Sequence, residues 1–194
     1  MTKLWTSFRN WIKQHTPSLL EELEDAASQW DIKEAEEELE TTFPDDLKQF
    51  LMEHNGGQVS NGLIGNWDLL SLDEMVEASF DMDEHVEDGD FGSNQRPESP
   101  EVKGMWWNPN WIPFASSTNG HFLCLDMDPA EKGSSGQVIA YFYDSGERPV
   151  LANSLKDWFE HTIKALEEGK ITANWSEELK EWRFSHPGFL LFED

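Results

Sequence analysis

The chain has 194 residues and a formal net charge of −25, with 39 aspartates and glutamates against 14 lysines and arginines. A surface this acidic repels nucleic acids and anionic lipids, so we expect no binding to DNA, RNA or a membrane. It favours encounters with basic proteins, although the same charge also serves solubility alone. With 10 tryptophans and 12 phenylalanines the chain can build a substantial core, and its length fits one domain with extensions better than two domains.

The single cysteine, Cys124, excludes an internal disulfide framework. Its neighbours Leu123 and Leu125 predict an inert thiol inside a buried strand. The N-terminus lacks a signal-peptide pattern, and no apolar run reaches the roughly 20 residues of a membrane helix. We therefore expect a cytoplasmic protein.

The first part of the chain predicts helices. Residues 2–15 place large apolar side chains at helical spacing, which indicates an amphipathic helix on a core. Ser18 and Glu21 have the spacing of a capping box and predict a helix that runs through Trp30, with Trp30 on its apolar side. Asp31 and Glu34 repeat that spacing and predict the next helix.

Two further helices are predicted on either side of a short strand. Residues 43–46 open one helix, and the sequence at 54–57 ends it, because Asn and Gly tolerate a left-handed backbone. Residues 63–70 form the strand. Ser71 then begins a helix that we expect to end near Phe80.

Residues 81–104 are predicted to form an acidic loop inserted into the domain. The stretch contains one arginine, Arg96, and its acids are Asp81, Asp83, Glu84, Glu87, Asp88, Asp90, Glu98 and Glu101. Such a composition buries too little apolar surface to order itself. Long loops of this kind are often functional.

The sequence after residue 110 predicts a sheet, two helices and an apolar end. Apolar runs bounded by turn residues indicate strands at 111–115, 121–126 and 137–143, with a short fourth strand at 150–152. A capped helix follows from Ser154 to Gly169, and a short helix is predicted at 176–183. The apolar end, 186–192, is expected to dock on the body.

Tests for catalytic and metal-binding motifs fail. Asp126-Met127-Asp128 begins like a calcium loop, but Glu131 and Gln137 stand where that loop needs glycine and glutamate. The six histidines lack zinc spacing, no phosphate-binding glycine loop is present, and the polar residues at 116–121 fit a hairpin turn. We predict no catalytic residue, cofactor or metal site and no enzyme activity, with weak divalent-cation binding by the acidic stretch left open.

Trp106 and Trp107 follow the acidic stretch. On a strand, adjacent residues face opposite sides, so one of the two would point outward. Exposed tryptophans are common anchors of protein interfaces.

Four short segments in a fixed order carry a family resemblance. They are Phe43-Pro44-Asp45-Asp46-Leu47 with Asn55-Gly56-Gly57, Leu69-Leu70-Ser71-Leu72-Asp73-Glu74-Met75, Trp111-Ile112-Pro113-Phe114-Ala115 with Leu123-Cys124-Leu125-Asp126-Met127-Asp128-Pro129, and Gly136-Gln137-Val138-Ile139 with Ser154-Leu155. In these segments the chain resembles the SUKH superfamily, which includes SMI/KNR-like regulators of yeast cell-wall assembly and many small bacterial proteins.

The resemblance implies an α+β fold, a single domain with a mainly antiparallel, twisted sheet and helices packed on it. Against the short family pattern, this chain carries an N-terminal helical extension at 1–30, the acidic insertion at 81–104 and a C-terminal extension at 170–194.

The resemblance also implies a non-enzymatic protein-binding role. Bacterial members look like immunity proteins that neutralise a toxin, frequently a nuclease, and this is our leading hypothesis, with a basic toxin domain as partner. The alternative is a regulatory scaffold like the yeast relatives. The residues expected to bind the partner are Asp81, Asp83, Glu84, Glu87, Asp88, Asp90, Trp106 and Trp107.

Overall fold

The computed structural model describes residues 1–57, 62–64, 67–90, 99–117 and 119–185. The helices are α1 (Thr2–His15), a 3-10 helix (Pro17–Glu22), α2 (Gln29–Glu38), α3 (Asp45–Leu51), α4 (Leu72–Glu87) and α5 (Leu155–Glu167). The strands are β1 (Asp68–Leu69), β2 (Trp111–Ser116), β3 (Phe122–Asp126), β4 (Gln137–Tyr141), β5 (Val150–Ala152), β6 (Thr172–Ser176) and β7 (Glu181–Ser185).

The central sheet has the order β1-β2-β3-β4-β5, and every neighbouring pair is antiparallel. The register shifts once between Pro113 and Ala115, where β2 pairs with β3. Proline lacks the N–H that a regular ladder needs, so an irregularity at this point is expected. The predicted α+β fold with a mainly antiparallel sheet is confirmed.

One face of this sheet carries the main core. Residues from β2, β3 and β4, among them Phe114, lie against α1, α3 and α5. Trp158 of α5 contacts Phe114 with ring centroids 5.1 Å apart. Trp5 of α1 lies 4.7 Å from Phe50 and 5.0 Å from Phe159, measured between ring centroids. Aromatic packing therefore ties three helices to the sheet.

The opposite face carries a second, smaller cluster. Its buried residues are Met82, Val102, Trp107, Trp111, Cys124, Ile139 and Tyr141. The cover comes from the end of α4 and from residues 99–110. Because both faces are buried, β4 is buried at every residue, and its residues after Gln137, from Val138 to Tyr141, form a continuous apolar run without a polar alternation.

The predicted helix over 18–30 is wrong. Only the short 3-10 helix forms, and the backbone N–H groups of Glu24 and Ala27 donate to the carbonyls of Gly56 and Leu51. These long-range bonds replace the bonds that a helix would make within itself. The capping box belongs to Ser28 and Asp31, whose reciprocal bonds measure 2.9 and 3.2 Å.

Trp30, predicted to be buried, lies in the first turn of α2 and is 71% exposed. The prediction failed because it placed the helix start after Trp30 instead of before it. The apolar side of α2 is formed by Ile32 and Ala35, which are buried.

The predicted helix over 176–183 is also wrong. Strands β6 and β7 form a hairpin, and Trp175 faces Trp182 with ring centroids 5.5 Å apart. The N–H of Lys180 donates to the carbonyl of Ser176 at 2.8 Å, so a helix-like turn does begin, but it closes the hairpin at once. Lys180 has a φ of +58°, which ends the turn. The apolar end, 186–192, lies outside the described residues.

Candidate protein-binding surface

Helix α4 is fixed at its start by two capping groups. The Ser71 hydroxyl accepts from the Glu74 N–H at 3.4 Å, and the Asn55 side chain accepts from the Leu72 N–H at 3.0 Å. Gly56 has a φ of +94°, and a Cβ on it would lie 2.6 Å from the nitrogen of Ser71. Only glycine fits there. The Asn55-Gly56 pair follows the end of α3 and therefore also positions the start of α4.

Helix α4 continues to Glu87, not to Phe80 as the sequence predicted. Met75, Ser79 and Met82 are buried at helical spacing, and Met82 reaches the second core cluster. Asp81, Asp83, Glu84 and Glu87 are therefore helical, and Asp88 and Asp90 lie in the turn that follows. The described part of the predicted acidic loop begins as ordered helix; residues 91–98, with Arg96 and Glu98, lie outside the described part.

The helix carries an exposed acidic stripe, which consists of Asp73, Glu77, Asp81, Glu84 and the capping residue Asp88. Their spacing of three or four residues puts them on one side of the helix. None of the five forms an ion pair or a side-chain hydrogen bond with another residue in the described ranges. Helix α4 contains seven acids and no lysine or arginine.

This charge pattern works against the helix. Like charges four residues apart destabilise a helix by about 0.2–0.5 kcal/mol per pair. Acids in the last turn also oppose the helix dipole. The basic residue of that turn, His85, contacts Asp90 at 2.8 Å between Nδ1 and Oδ2. Asp73 lies in the first turn, where an acid favours the helix dipole, but the rest of the stripe gains nothing from helix formation.

Asp83 and Trp107 join α4 to the sheet cover. Trp107 is 2% exposed, and its indole N–H donates to Oδ1 of Asp83 at 2.9 Å. Burial raises the pKa of Asp83, the nearby charge of Glu87 adds to the rise, and the hydrogen bond from Trp107 opposes it. Trp107 also packs edge-on against Trp111 and Tyr141. It is an interior residue and offers no exposed ring to a partner, contrary to the expected anchor role.

Trp106 is half-buried and rests on Arg148. The Arg148 side chain is 5% exposed and lies 4.0 Å above the Tyr141 ring. Its Nη2 donates to the Trp106 carbonyl at 3.0 Å. Its Nη1 donates to the carbonyls of Phe142, Ser145 and Glu147 at 3.1, 2.7 and 2.7 Å. A buried guanidinium thus positions Trp106, a role that no motif in the sequence indicated.

Residues 99–104 are held to the β3–β4 connection. The carbonyl of Glu101 accepts from the Gln137 side chain at 2.9 Å and from the Ala130 N–H at 3.1 Å. Lys103 forms an ion pair with Asp128. This end of the predicted acidic loop is therefore bonded to the body.

Asp126 and Cys124 are structural. Asp126 is buried, accepts from the Gln137 side chain at 2.9 Å and from the Asp128 N–H at 3.1 Å, and burial raises its pKa. Burial likewise raises the pKa of the Cys124 thiol far above its usual range. Within the described ranges, no group of three His, Cys, Asp or Glu could hold a metal ion.

Two grooves flank α4. The larger, of about 500 Å³, lies between α2 and α4. The smaller, of about 320 Å³, lies between α4 and the turn from β2 to β3 and includes Asp81. Glu77 lines both. The acidic stripe therefore forms a ridge between two depressions.

Residues 26–161 match the model of the SMI1 / KNR4 family (SUKH-1). The chain belongs to this family. The match runs from just before α2 into α5, so the whole of α4 with its acidic stripe lies inside the SMI1 / KNR4 region. Helix α1 and the β6–β7 hairpin lie outside it. The resemblance inferred from the four segments is confirmed.

Relatives of this SMI1 / KNR4 chain are named as regulators. The cell wall assembly regulator SMI1 of Saccharomyces cerevisiae is 25% identical over 98% of the chain and 44% of that protein. The cell wall biosynthesis/cell cycle regulator smi1 of Schizosaccharomyces pombe is 27% identical over 88% of the chain and 37% of that protein. The glucan synthesis regulatory protein of Neurospora crassa is 24% identical over 86% of the chain and 38% of that protein. The chain spans less than half the length of these relatives.

Within the described ranges, no helix combines the length and the apolar character that crossing a bilayer requires.

Proposed function

We propose that the chain is a non-enzymatic, regulatory protein-binding domain that meets a basic surface of its partner with the acidic stripe of α4. One observation carries the proposal: five exposed carboxylates on one side of α4 find no cationic partner within the described residues. A partner that supplies lysine or arginine would relieve the repulsion along the stripe. Complementary charge of this kind speeds association and excludes wrong partners.

The two functional hypotheses from the sequence differ in the kind of partner. The relatives are named as regulators of cell wall assembly and of glucan synthesis, and these names favour the regulatory role. The immunity role, with a basic toxin domain as partner, stays a prediction. Both roles use the same surface, so one experiment on the surface serves both.

The predicted binding residues divide by position. Asp81, Glu84 and Glu87 on α4, with Asp88 after it, offer charge to a partner, and Asp90 contacts His85 at 2.8 Å. Asp83 and Trp107 hold the helix end and act as positioning residues. Trp106 is half-buried beside the exposed Met105, so it contributes contact area at the margin of the surface.

Photo-crosslinking in the cells of origin tests the proposal. A benzoylphenylalanine replaces Asp81 in one variant and Glu167, an exposed acid at the end of α5, in the control variant. We expect a discrete protein adduct from position 81 alone, which weakens as salt is raised in a lysate. The proposal fails if neither position gives an adduct, or if both give the same one with equal yield.

A further inference from the structure

We propose that the groove between α2 and α4 binds a basic amphipathic helix of the partner. The inference rests on the proposed function and names the chemistry of what is bound. The groove is lined by Asp31, Glu34, Ala35, Glu38, Asn55, Leu72, Asp73, Val76, Glu77 and Phe80.

The floor of the groove is apolar. Leu72, Val76 and Phe80 of α4 follow one another at intervals of four residues, so they form a row along the helix. Ala35 of α2 faces this row across the groove. Phe80 is 50% exposed, although the chain has a large core in which an aromatic ring could be buried. Leu72 and Ala35 are buried and Val76 is half-buried, so Phe80 provides most of the apolar surface that the groove exposes.

The walls of the groove are acidic on both sides. Asp31, Glu34 and Glu38 stand on α2, and Asp73 and Glu77 stand on α4. Among the described residues that line the groove there is no lysine, arginine or histidine. Lys33 of α2 contacts Glu37 at 2.7 Å, so this nearby cation is already paired. An occupant therefore needs apolar side chains flanked by several positive charges.

An amphipathic helix meets both needs. A helix that lays its apolar face into a groove between two helices places side chains from successive turns onto the floor. The row from Leu72 to Phe80 spans two turns of α4, or about 12 Å at 1.5 Å per residue. A third helix with lysine or arginine beside its apolar face would put those charges against both walls. Helix packing of this kind is common in α-rich interfaces.

The test uses two synthetic peptides of the same leucine and lysine composition. One peptide arranges the residues to give an apolar helical face, and the other alternates them so that no such face forms. In ¹H–¹⁵N spectra of the full chain, we expect the first peptide to shift amide signals of α2 and α4 around the groove. The alternating peptide should bind at least about tenfold more weakly. Shifts centred elsewhere on the chain, or equal binding of both peptides, would overturn the inference.

Matched variants separate the groove from overall charge. Glu34→Gln/Glu38→Gln/Glu77→Gln removes three charges from the walls, and Phe80→Ala removes part of the floor. The control, Glu21→Gln/Glu167→Gln/Glu178→Gln, removes three charges from exposed positions that do not line the groove. We expect about tenfold weaker binding for each groove variant and less than about twofold for the control. Equal losses in the wall and control variants would show a response to net charge alone and would overturn the inference.

The inference about the groove can be wrong while the proposed function is right. If position 81 gives its protein adduct and the wall variant leaves that adduct unchanged, the partner uses the stripe without the groove, and only the inference falls. If the adduct is absent as well, the proposed function falls with it.

Discussion

The indole N–H of Trp107 donates to the carboxylate of Asp83 at 2.9 Å, across 24 residues of sequence. This bond joins the last turns of α4 to the segment that covers the second face of the sheet. Trp107 is buried among aromatic rings, and Met82 enters the same cluster from α4. The acidic stripe is thus presented on a helix that is anchored next to the stripe itself.

The first prediction concerns this bond. Asp83→Ala leaves the buried indole N–H without its acceptor, so we expect a loss of about 1–3 kcal/mol in the free energy of unfolding. Asp83→Asn keeps an oxygen in place and should cost much less. Urea unfolding of both variants measures the difference, with Asp81→Ala as the exposed control, expected within about 0.5 kcal/mol of the wild type. Equal effects of Asp83→Ala and Asp81→Ala would contradict the anchoring role.

The second prediction concerns pH. Burial raises the folded-state pKa of Asp83 above its ordinary value of 3.8, so the folded state holds this proton more tightly than the unfolded state. Its contribution to stability is present below the ordinary value and is lost as the pH rises through the raised pKa. We expect the stability of Asp83→Asn, relative to the wild type, to increase from pH about 4 towards neutrality. Unfolding curves at several pH values measure this, and a difference that is flat or falls with pH would exclude the raised pKa.

The third prediction concerns Arg148. Its guanidinium donates to four backbone carbonyls and lies over the Tyr141 ring, a planar arrangement that lysine cannot reproduce. We expect Arg148→Lys and Arg148→Met each to lose at least about 2 kcal/mol in the free energy of unfolding. Arg183→Met, which breaks an exposed ion pair with Glu181, should change stability by less than about 1 kcal/mol. A loss at Arg148 no larger than that at Arg183 would show that Trp106 is held by other contacts.

Strands β2 to β5 and α5 could be predicted because their signals are local, whereas of the strand predicted over 63–70 only Asp68–Leu69 forms a strand among the described residues. Strands β2, β3 and β4 are apolar runs between turn residues, and Ser154 accepts from the Asp157 N–H at 3.1 Å as its spacing indicated. The stretch 18–30 could not be predicted, because its backbone bonds go to Gly56 and Leu51, far along the chain.

The sequence predicted only part of the candidate surface, because the rest depends on contacts between distant parts of the chain. Its acids were visible in the composition, but the four acids in the second half of α4, from Asp81 to Glu87, were predicted to lie in a loop instead of a helix. Met82 and the Asp83–Trp107 bond hold this helix end in place, and both depend on a segment about two dozen residues away. Arg148 was missed since its partners are backbone carbonyls and ring faces, which carry no sequence pattern.

The fourth prediction contrasts two tryptophans. Trp30 is exposed on α2, so Trp30→Ala should change the free energy of unfolding by less than about 0.5 kcal/mol. Trp158 is fully buried against Phe114 and Phe159, so Trp158→Ala should cost about 3–5 kcal/mol. Thermal or urea unfolding distinguishes them. A large loss at Trp30 would mean that the Trp30 ring packs against the body instead of facing solvent.

The fifth prediction concerns the stripe. Asp81→Asn/Glu84→Gln/Asp88→Asn removes three of its charges, and Glu21→Gln/Glu167→Gln/Glu178→Gln removes three exposed charges elsewhere. Both variants have the same net charge, so they differ only in where the charge is lost. If α4 steers association, only the stripe variant should bind the partner slowly.

The most direct measurement uses the partner that the crosslink at position 81 identifies. Its rate of association with the chain is measured by stopped flow at several ionic strengths. We predict that the stripe variant associates at least about tenfold more slowly than the wild type at low salt and has a weaker salt dependence, while the control variant resembles the wild type. Equal rates and equal salt dependence for the stripe variant and the wild type would contradict the proposal that the acidic stripe of α4 is the binding surface.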